Sequence, residues 1–462
     1  MSATTLQPAG QWAQNEFAFA DLGDPRRSKR LVNIATKLAT NPGGTLPQAF
    51  PDWAELKAAY RFFDNPSVNH PEVVRPHVER TRLACRVPGE YLIIEDTSDL
   101  DFSAHRRTQD LGVIGDGDGR GFELHSALAV RVEAWNLEQR PEGQIVGLFE
   151  QQCRRPVPAP QGESRSQRFK RRRQSSWWAE GFRRAGSPPG GCRWIYVADR
   201  ESDFYEPLQI CQELGVDFVI RAFQDRRLAE GAGKMRQALA NAPVLGQSTV
   251  ELRSRGGQCA RTAIVELRAV QVDLDGPWRP GGWQEPLRGV WVLQVREVDT
   301  PAEVKEPLHW ILLSSLPCRT IAEARRVLGC YTARWHVEEY HKALKSGAGV
   351  EESQLERGGR LEPLIAVLAI VAVRLLNTKM LARSRPEGAE AKESFGPEPL
   401  AILEKRFGKP KGGWTNKNVL VATARLGGFL ARKHDGMPGW QTIWRGWQRL
   451  IWMCEGVETL NE

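Results

Sequence analysis

The sequence predicts an α/β protein with helical segments at both ends, and three observations carry that reading. Two short apolar runs, Tyr91–Asp96 and Trp194–Asp199, each close on acidic residues. That is the pattern of buried strands whose C-terminal ends open on a site. Residues from about 225 to 318 alternate strand-like runs with Gly/Pro turns, a β-rich insertion. Residues 1 to about 70, and again 400–462, read as helices.

Taken in order, Asp24 followed by Pro25 is a helix start, cap and first helical residue. Behind it Leu31, Ile34, Ala35 and Leu38 share one face, and Arg26, Lys29, Arg30 and Lys37 the other. Such a basic face is either solvated or turned to phosphates. Gly115, Gly117, Gly119 and Gly121 precede the strand-like run from His125 to Val132 with no Lys-Ser or Lys-Thr, so they predict a hairpin rather than a phosphate cradle. Residues 154–173, ending in Arg168-Phe-Lys-Arg-Arg-Arg173, predict a loop, with a nucleic-acid contact as the alternative. Phe218–Arg221 is a further strand. Thr320 and Glu323 form a capping box, and Gly347 and Gly349 end the helical region it opens. An apolar helix follows from Leu361 to about Leu381, then a linker at 383–399. In the last helix Trp440, Trp444, Trp447 and Ile451 make a stripe suited to a core or an interface.

A chain of 462 residues predicts two or three domains. Hydrophobic residues are 41%, charged residues 26%, and mean hydropathy is -0.44, as in soluble globular proteins. A net charge of +8 and a pI near 9.1 favour an acidic partner such as nucleic acid. The eight cysteines are scattered without a C-x-x-C pair, which argues against zinc of the usual spacing and for a reducing compartment. The N-terminus lacks the features of a signal peptide, and the apolar run Leu364–Val373 is too short to span a bilayer. The expectation is a cytoplasmic protein with no membrane partner.

The stretch Tyr331–Lys345 reads as one helix. At about 100° per residue, Tyr331, Arg334, Glu338, Lys342 and Lys345 fall in a sector roughly 80° wide. A carboxylate flanked by cations and a phenol suits chemistry on a phosphodiester. A sheet placing Asp96 and Asp199 side by side, with the helix of Glu338 across them, would gather three hard oxygen donors for divalent metal. Taken singly, Asp96 and Asp199 read as well as caps or turn residues. Other chemistries lack their motifs: there is no G-x-S-x-G elbow and no P-loop, and His336 and His341 sit about 140° apart on a helix.

Tyr331, Arg334, Glu338 and Lys345 match the Y-x2-R-x3-E-x6-K signature, and further blocks match at Leu22–Arg27, Arg30–Asn33, Ala59–Phe62, Glu95–Thr97, Asp199–Glu201, Lys345–Gly349, Val371–Leu376 and Ala424–Phe429. On these residues the chain resembles the insertion-sequence transposases of the DDE class. The resemblance implies a ribonuclease-H-like catalytic domain at 71–382, with the β-rich insertion at about 222–318. A DNA-end-binding helical domain at 1–70 and a dimerisation domain at 400–462 would flank it. It implies Asp96, Asp199 and Glu338 as catalytic metal ligands for Mg²⁺, with Mn²⁺ as substitute. The implied activity is cut-and-paste transposition: nicking transposon ends, forming and resolving hairpins, and joining 3′ ends to target DNA. Trp310 would stack a flipped base. Tyr331, Arg334, Lys342 and Lys345 would hold phosphates, and Arg221 would line the site. Arg26, Arg27, Arg30 and Arg61 would read the double-stranded end, in a homodimer acting at the bacterial nucleoid. The alternative is an inactive end-binding regulator derived from such an enzyme. The basic segment 165–173 maps onto no motif of the family.

Overall fold

In the computed structural model, which describes residues 8–158, 160, 162–164, 167, 174–253, 260–279, 282–384, 395, 397–432 and 435–461, the two acid-terminated runs become neighbouring strands. β1 (Gly89–Asp101) pairs in parallel with β5 (Cys192–Ala198), from Gly89 opposite Cys192 to Ile94 opposite Val197. Alternation sends Leu92, Ile94, Ile195 and Val197 into one core and Tyr91, Ile93, Trp194 and Tyr196 into another. Burial on both faces is why these strands read as unbroken apolar runs.

β1 runs past its acids. Thr97–Asp101 stays paired with β3 (Gly119–Trp135) after β5 has ended, so Asp96 lies inside a strand rather than at its end. β2 (Gly112–Ile114) closes the glycine hairpin, and β4 (Pro141–Arg154) continues the antiparallel ladder. β6 (Asp217–Arg221) joins β5 in parallel. The order β4-β3-β1-β5-β6, three antiparallel strands followed by two parallel ones, is the ribonuclease-H-like arrangement.

The insertion adds to that sheet. β7 (Val244–Leu252), β8 (Arg261–Leu274), β11 (Leu287–Val298) and β12 (His309–Ser314) follow in the order β6-β12-β11-β8-β7, giving ten strands. β9 (Trp278–Arg279) and β10 (Gly282–Trp283) form a separate ribbon. The region is not all strand: Met235 and Leu239, buried one helical turn apart, make Met235–Ala240 a helix.

One face of the sheet carries α1 (Ala9–Phe17), α2 (Pro25–Thr40), α3 (Leu46–Ala49), α4 (Trp53–Phe63) and α5 (His70–Ala84). The side chain of Asp24 caps α2, and Leu31, Ile34, Ala35 and Leu38 are buried. His77 ties α5 to both neighbours: Nδ1 lies 2.7 Å from the buried Glu16 carboxylate, and Nε2 accepts from the Leu148 N–H at 2.9 Å. On the opposite face lie α6 (Gln174–Ala185), α7 (Tyr205–Leu214) and α8 (Met235–Ala240). Arg168–Arg173 and most of the 383–399 linker lie outside the described residues.

After the sheet come α9 (Ile321–Thr332), with its capping box, α10 (Trp335–Lys342) and α11 (Gly358–Ser384). The expectation that no segment is long enough to span a bilayer is corrected here. Gly358–Met380, 23 residues with mean hydropathy 1.8 over its most apolar 18-residue window, suffices by length and composition, and 78% of that window is buried inside the protein. Its apolar girth reflects a core position: Leu364, Ile365, Val367 and Leu368 pack in the larger core. The chain closes with α12 (Pro397–Phe407), α13 (Asn416–Leu426) and α14 (Trp440–Asn461).

One buried carboxylate connects these layers. Glu339 of α10 accepts from Lys379 of α11 at 2.6 Å, from the Trp440 indole of α14 at 3.0 Å, and pairs with Arg253 beside β7 at 2.6 Å. Burial alone would raise its pKa, but Lys379, Arg253 and Trp440 hold it down to about 2. Replacing Glu339 by Ala leaves Lys379 buried without its carboxylate, so unfolding in urea should show a loss of about 3–5 kcal/mol. Because the folded pKa is depressed, the contribution of Glu339 is complete above its ordinary 4.5 and fades as pH falls toward about 2. The gap between wild type and Glu339→Gln should therefore shrink over that window in acid-denaturation curves.

Candidate active site

Asp96 projects from β1 on the face of Leu92 and Ile94, just beyond the last residue paired with β5. Asp199 follows β5 immediately and caps a short turn, its carboxylate accepting from the Glu201 N–H at 2.8 Å. Arg334 brings the third acid in. Its Nη1 lies 3.0 Å from Oδ2 of Asp96, and its Nη2 pairs with Glu338. Asp96 also feels the charges of Asp199 and Glu338. Asp199 and Glu338 thus lie near enough for their charges to act on Asp96.

The supporting helix differs from expectation. Tyr331–Lys345 is not one helix: α9 ends at Thr332, and Arg334, His336 and Val337 donate three residues back, to Tyr331, Ala333 and Arg334, at 3.0, 3.0 and 3.1 Å. These tightened bonds mark a break at the residue drawn onto Asp96. A wider turn at Ala343–Gly347 ends α10. The five side chains predicted on one face therefore part. Tyr331, Arg334 and Glu338 stay at the acids, Lys342 lies 3.7 Å from Glu339, and Lys345 lies 3.4 Å from Glu351.

Trp310 on β12 meets Tyr331 edge-on with centroids 5.0 Å apart. Burial raises the pKa of the Tyr331 phenol against the Arg334 and Arg221 guanidiniums beside it. Arg26, Arg27, Arg30 and Arg61 belong to the N-terminal helices, away from this cluster. Arg26 pairs with Asp24, Arg27 donates to the Leu22 carbonyl at 2.6 Å, and Arg61 is exposed.

The residues that fix α10 were not anticipated. Glu339 holds one side. On another, the Tyr340 hydroxyl accepts from Gln151 at 2.8 Å, and Gln151 also reaches Ser126 and His70. Burial holds His341 at about 3, so its ring is neutral beside the charged cluster. A polar residue at a buried helix position, as in Glu338-Glu339, was the available signal.

Burial raises the pKa of Asp96 to about 6, with Asp199 and Glu338 adding to the rise and Arg334 opposing it. Three carboxylates face one guanidinium, an excess of negative charge on hard oxygen donors, and that suits a divalent cation. Among the described residues no three acids, imidazoles or thiols stand close enough to chelate one ion as placed, since Arg334 spans two of the acids. The donor set fits the metal in chemistry.

Residues 193–374 match the family described as transposase DDE domain, residues 9–68 match transposase DNA-binding, and residues 370–461 match the transposase Tn5 dimerisation domain. In chain order, the matches are thus to a DNA-binding segment, a DDE domain and a dimerisation segment. The DDE match contains Asp199 and Glu338, and the β1–β5 pairing adds Asp96 from outside it. Among solved structures, the cryo-EM structure of the piggyBac transposase synaptic complex with hairpin DNA is similar at 10% identity and a TM-score of 0.29. The similarity covers 80% of this chain, which spans 61% of that chain's length, and it is too loose to transfer any residue's role.

A raised folded pKa means that Asp96 favours the native state while protonated, below its ordinary 3.8, and loses that advantage as pH rises through about 6. Asp96→Asn should therefore melt about 2–6 °C above wild type at pH 7.5 and level with it at pH 4, by calorimetry in chelator.

Proposed function

We propose that this chain is a cut-and-paste DNA transposase with Asp96, Asp199 and Glu338 as its metal-binding acids. The observation that carries the reading is Arg334 spanning Asp96 and Glu338 while Asp199 adds its charge to Asp96. The three matched families, which include a DDE domain, support the same reading. Oxygen-only donors favour Mg²⁺, with Mn²⁺ as substitute. When bound, divalent ions supply an activated nucleophile and neutralise the scissile phosphate.

The chain's own residues do the rest. Asp96 and Asp199 stand on a rigid sheet, which fixes two acids relative to each other, and Glu338 is held in phase by Glu339 and Tyr340. Arg334 restrains Glu338 and offers charge to a phosphate. Tyr331, backed by Arg221 and Trp310, forms an aromatic wall for a base leaving the duplex, which supports hairpin formation. Lys342 and Lys345 line the exit of α10, where a backbone can pass. The segment matched as transposase DNA-binding carries Arg26, Arg27, Arg30 and Arg61 toward the transposon end. The dimerisation segment would pair two copies so that both ends are cut together. Of the Y-R-E-K residues, Tyr331, Arg334 and Glu338 serve at the acids, and Lys345 acts from beyond the end of α10.

The purified protein, given Mg²⁺ and a plasmid carrying its native flanking inverted repeats, should release hairpinned ends and insert them into target DNA. Glu338→Ala, Asp96→Asn and Asp199→Asn should each lower nicking by at least about 100-fold, since metal-assisted displacement loses an anchoring carboxylate. End binding without cleavage by the wild type would instead indicate an inactive regulator. Cleavage indifferent to Glu338→Ala would discard the site.

Millimolar Mg²⁺ or Mn²⁺ should also raise the melting temperature of the wild type, since an ion bound only by the folded state stabilises it. Asp199→Asn should remove most of that rise.

A further inference from the structure

β12 divides two surfaces. Trp310 and Leu312 look toward Tyr331, and alternation turns His309 and Ile311 to the other face. On that other face, where β6 and β12 meet the catalytic end of the sheet, lies a cavity of ≈ 220 Å³. Arg200, Arg221, Arg236 and His309 line it, with Phe223 and Ile311.

The cavity is cationic by construction. Arg200 follows Asp199 directly, and Arg221 reaches Tyr331 across the strand end. His309 is kept below its ordinary pKa by burial and by Arg236, Arg296 and Arg221, a sign of strong positive potential where the imidazole sits. Asp203 does not neutralise it. Only 2% exposed, that carboxylate pairs with Arg226 and accepts from the N–H groups of Phe223 and Gln224 at 2.7 and 2.8 Å. The same bonds pin the loop and leave the Phe223 ring 66% exposed at the mouth. Rigid backbone, an exposed aromatic face and clustered guanidiniums are what an unpaired nucleotide requires.

We propose that this cavity is a second nucleotide subsite, taking one unpaired nucleotide of single-stranded DNA, its phosphate between Arg200 and Arg236 and its base on Phe223. It lies across β12 from the Trp310–Tyr331 wall, so a strand separated at the acids is led over the end of the sheet into it. The subsite rests on the reading of the chain as a DNA-cutting enzyme.

The test is anisotropy of a labelled oligothymidylate of about eight nucleotides, with the full-length protein in chelator, across a salt series. Phe223→Ala should weaken binding about 5- to 20-fold and leave the salt slope unchanged, and Phe223→Trp should restore it. Arg236→Ala should weaken binding and reduce the slope of log K against log salt by about 0.7, the loss of one phosphate contact on a single strand. Trp283→Ala, on the exposed β9–β10 ribbon, should bind as wild type. Unchanged affinity in both Phe223→Ala and Arg236→Ala, or equal loss in Trp283→Ala, overturns the subsite. A wild type that nicks its inverted repeats in Mg²⁺ under those circumstances leaves the transposase reading standing. A wild type that neither binds the oligonucleotide nor nicks overturns both.

Discussion

A buried negative charge on α10 governs the geometry of everything near the acids. Glu338 is useful only if its helix is held in one rotational phase, and apolar packing alone tolerates small rotations. Glu339, the next residue, points inward and binds a lysine, an indole and a guanidinium that come from three different elements. Each partner constrains direction as well as distance. The Tyr340–Gln151 bond fixes the helix from another side and passes on to β3 and α5. Such a network costs desolvation, and it returns a unique arrangement.

Against that fixed helix, the site itself is electrostatically unbalanced. Asp96, Asp199 and Glu338 share Arg334 as their close cation, and Asp96 is largely buried. A fold selected only for stability would not gather carboxylates this way, and perturbed acids in such settings mark functional places. Arg334, read from the sequence as a phosphate holder, is found bridging two acids. The two roles are compatible, because a guanidinium has five donors and the carboxylates use only part of them.

Local signals in the sequence were easily read. Asp24 and Thr320 cap the helices they precede, and the buried face of α2 is the apolar stripe of its sequence. The two strand-borne acids were legible because strands buried on both faces leave long apolar runs with a clear end. What depended on distant partners was hidden. Nothing in Thr97–Asp101 reveals that β3 will keep β1 extended after β5 stops. The break at Arg334 falls among good helix formers and is imposed by Asp96, more than two hundred residues away. The union of the insertion with the main sheet rests on three pairs between β12 and β6, again far apart in sequence. The cavity near Phe223 draws on separate segments, none of which carries a motif.

α11 shows what central burial demands of a segment before the fold exists. Most of its apolar 18-residue window is buried in the finished protein, and its polar anchors come near its end: Arg374 over the Trp12 ring and Lys379 on Glu339. Until α14 delivers Trp440, the Lys379–Glu339 pair lacks one of its shields. Before the core closes, this stretch is long and apolar enough to enter a bilayer by length and composition alone. Arg374 and Lys379 make that mispartitioning unfavourable, so the two residues that lock the completed core also keep the unfinished chain in water.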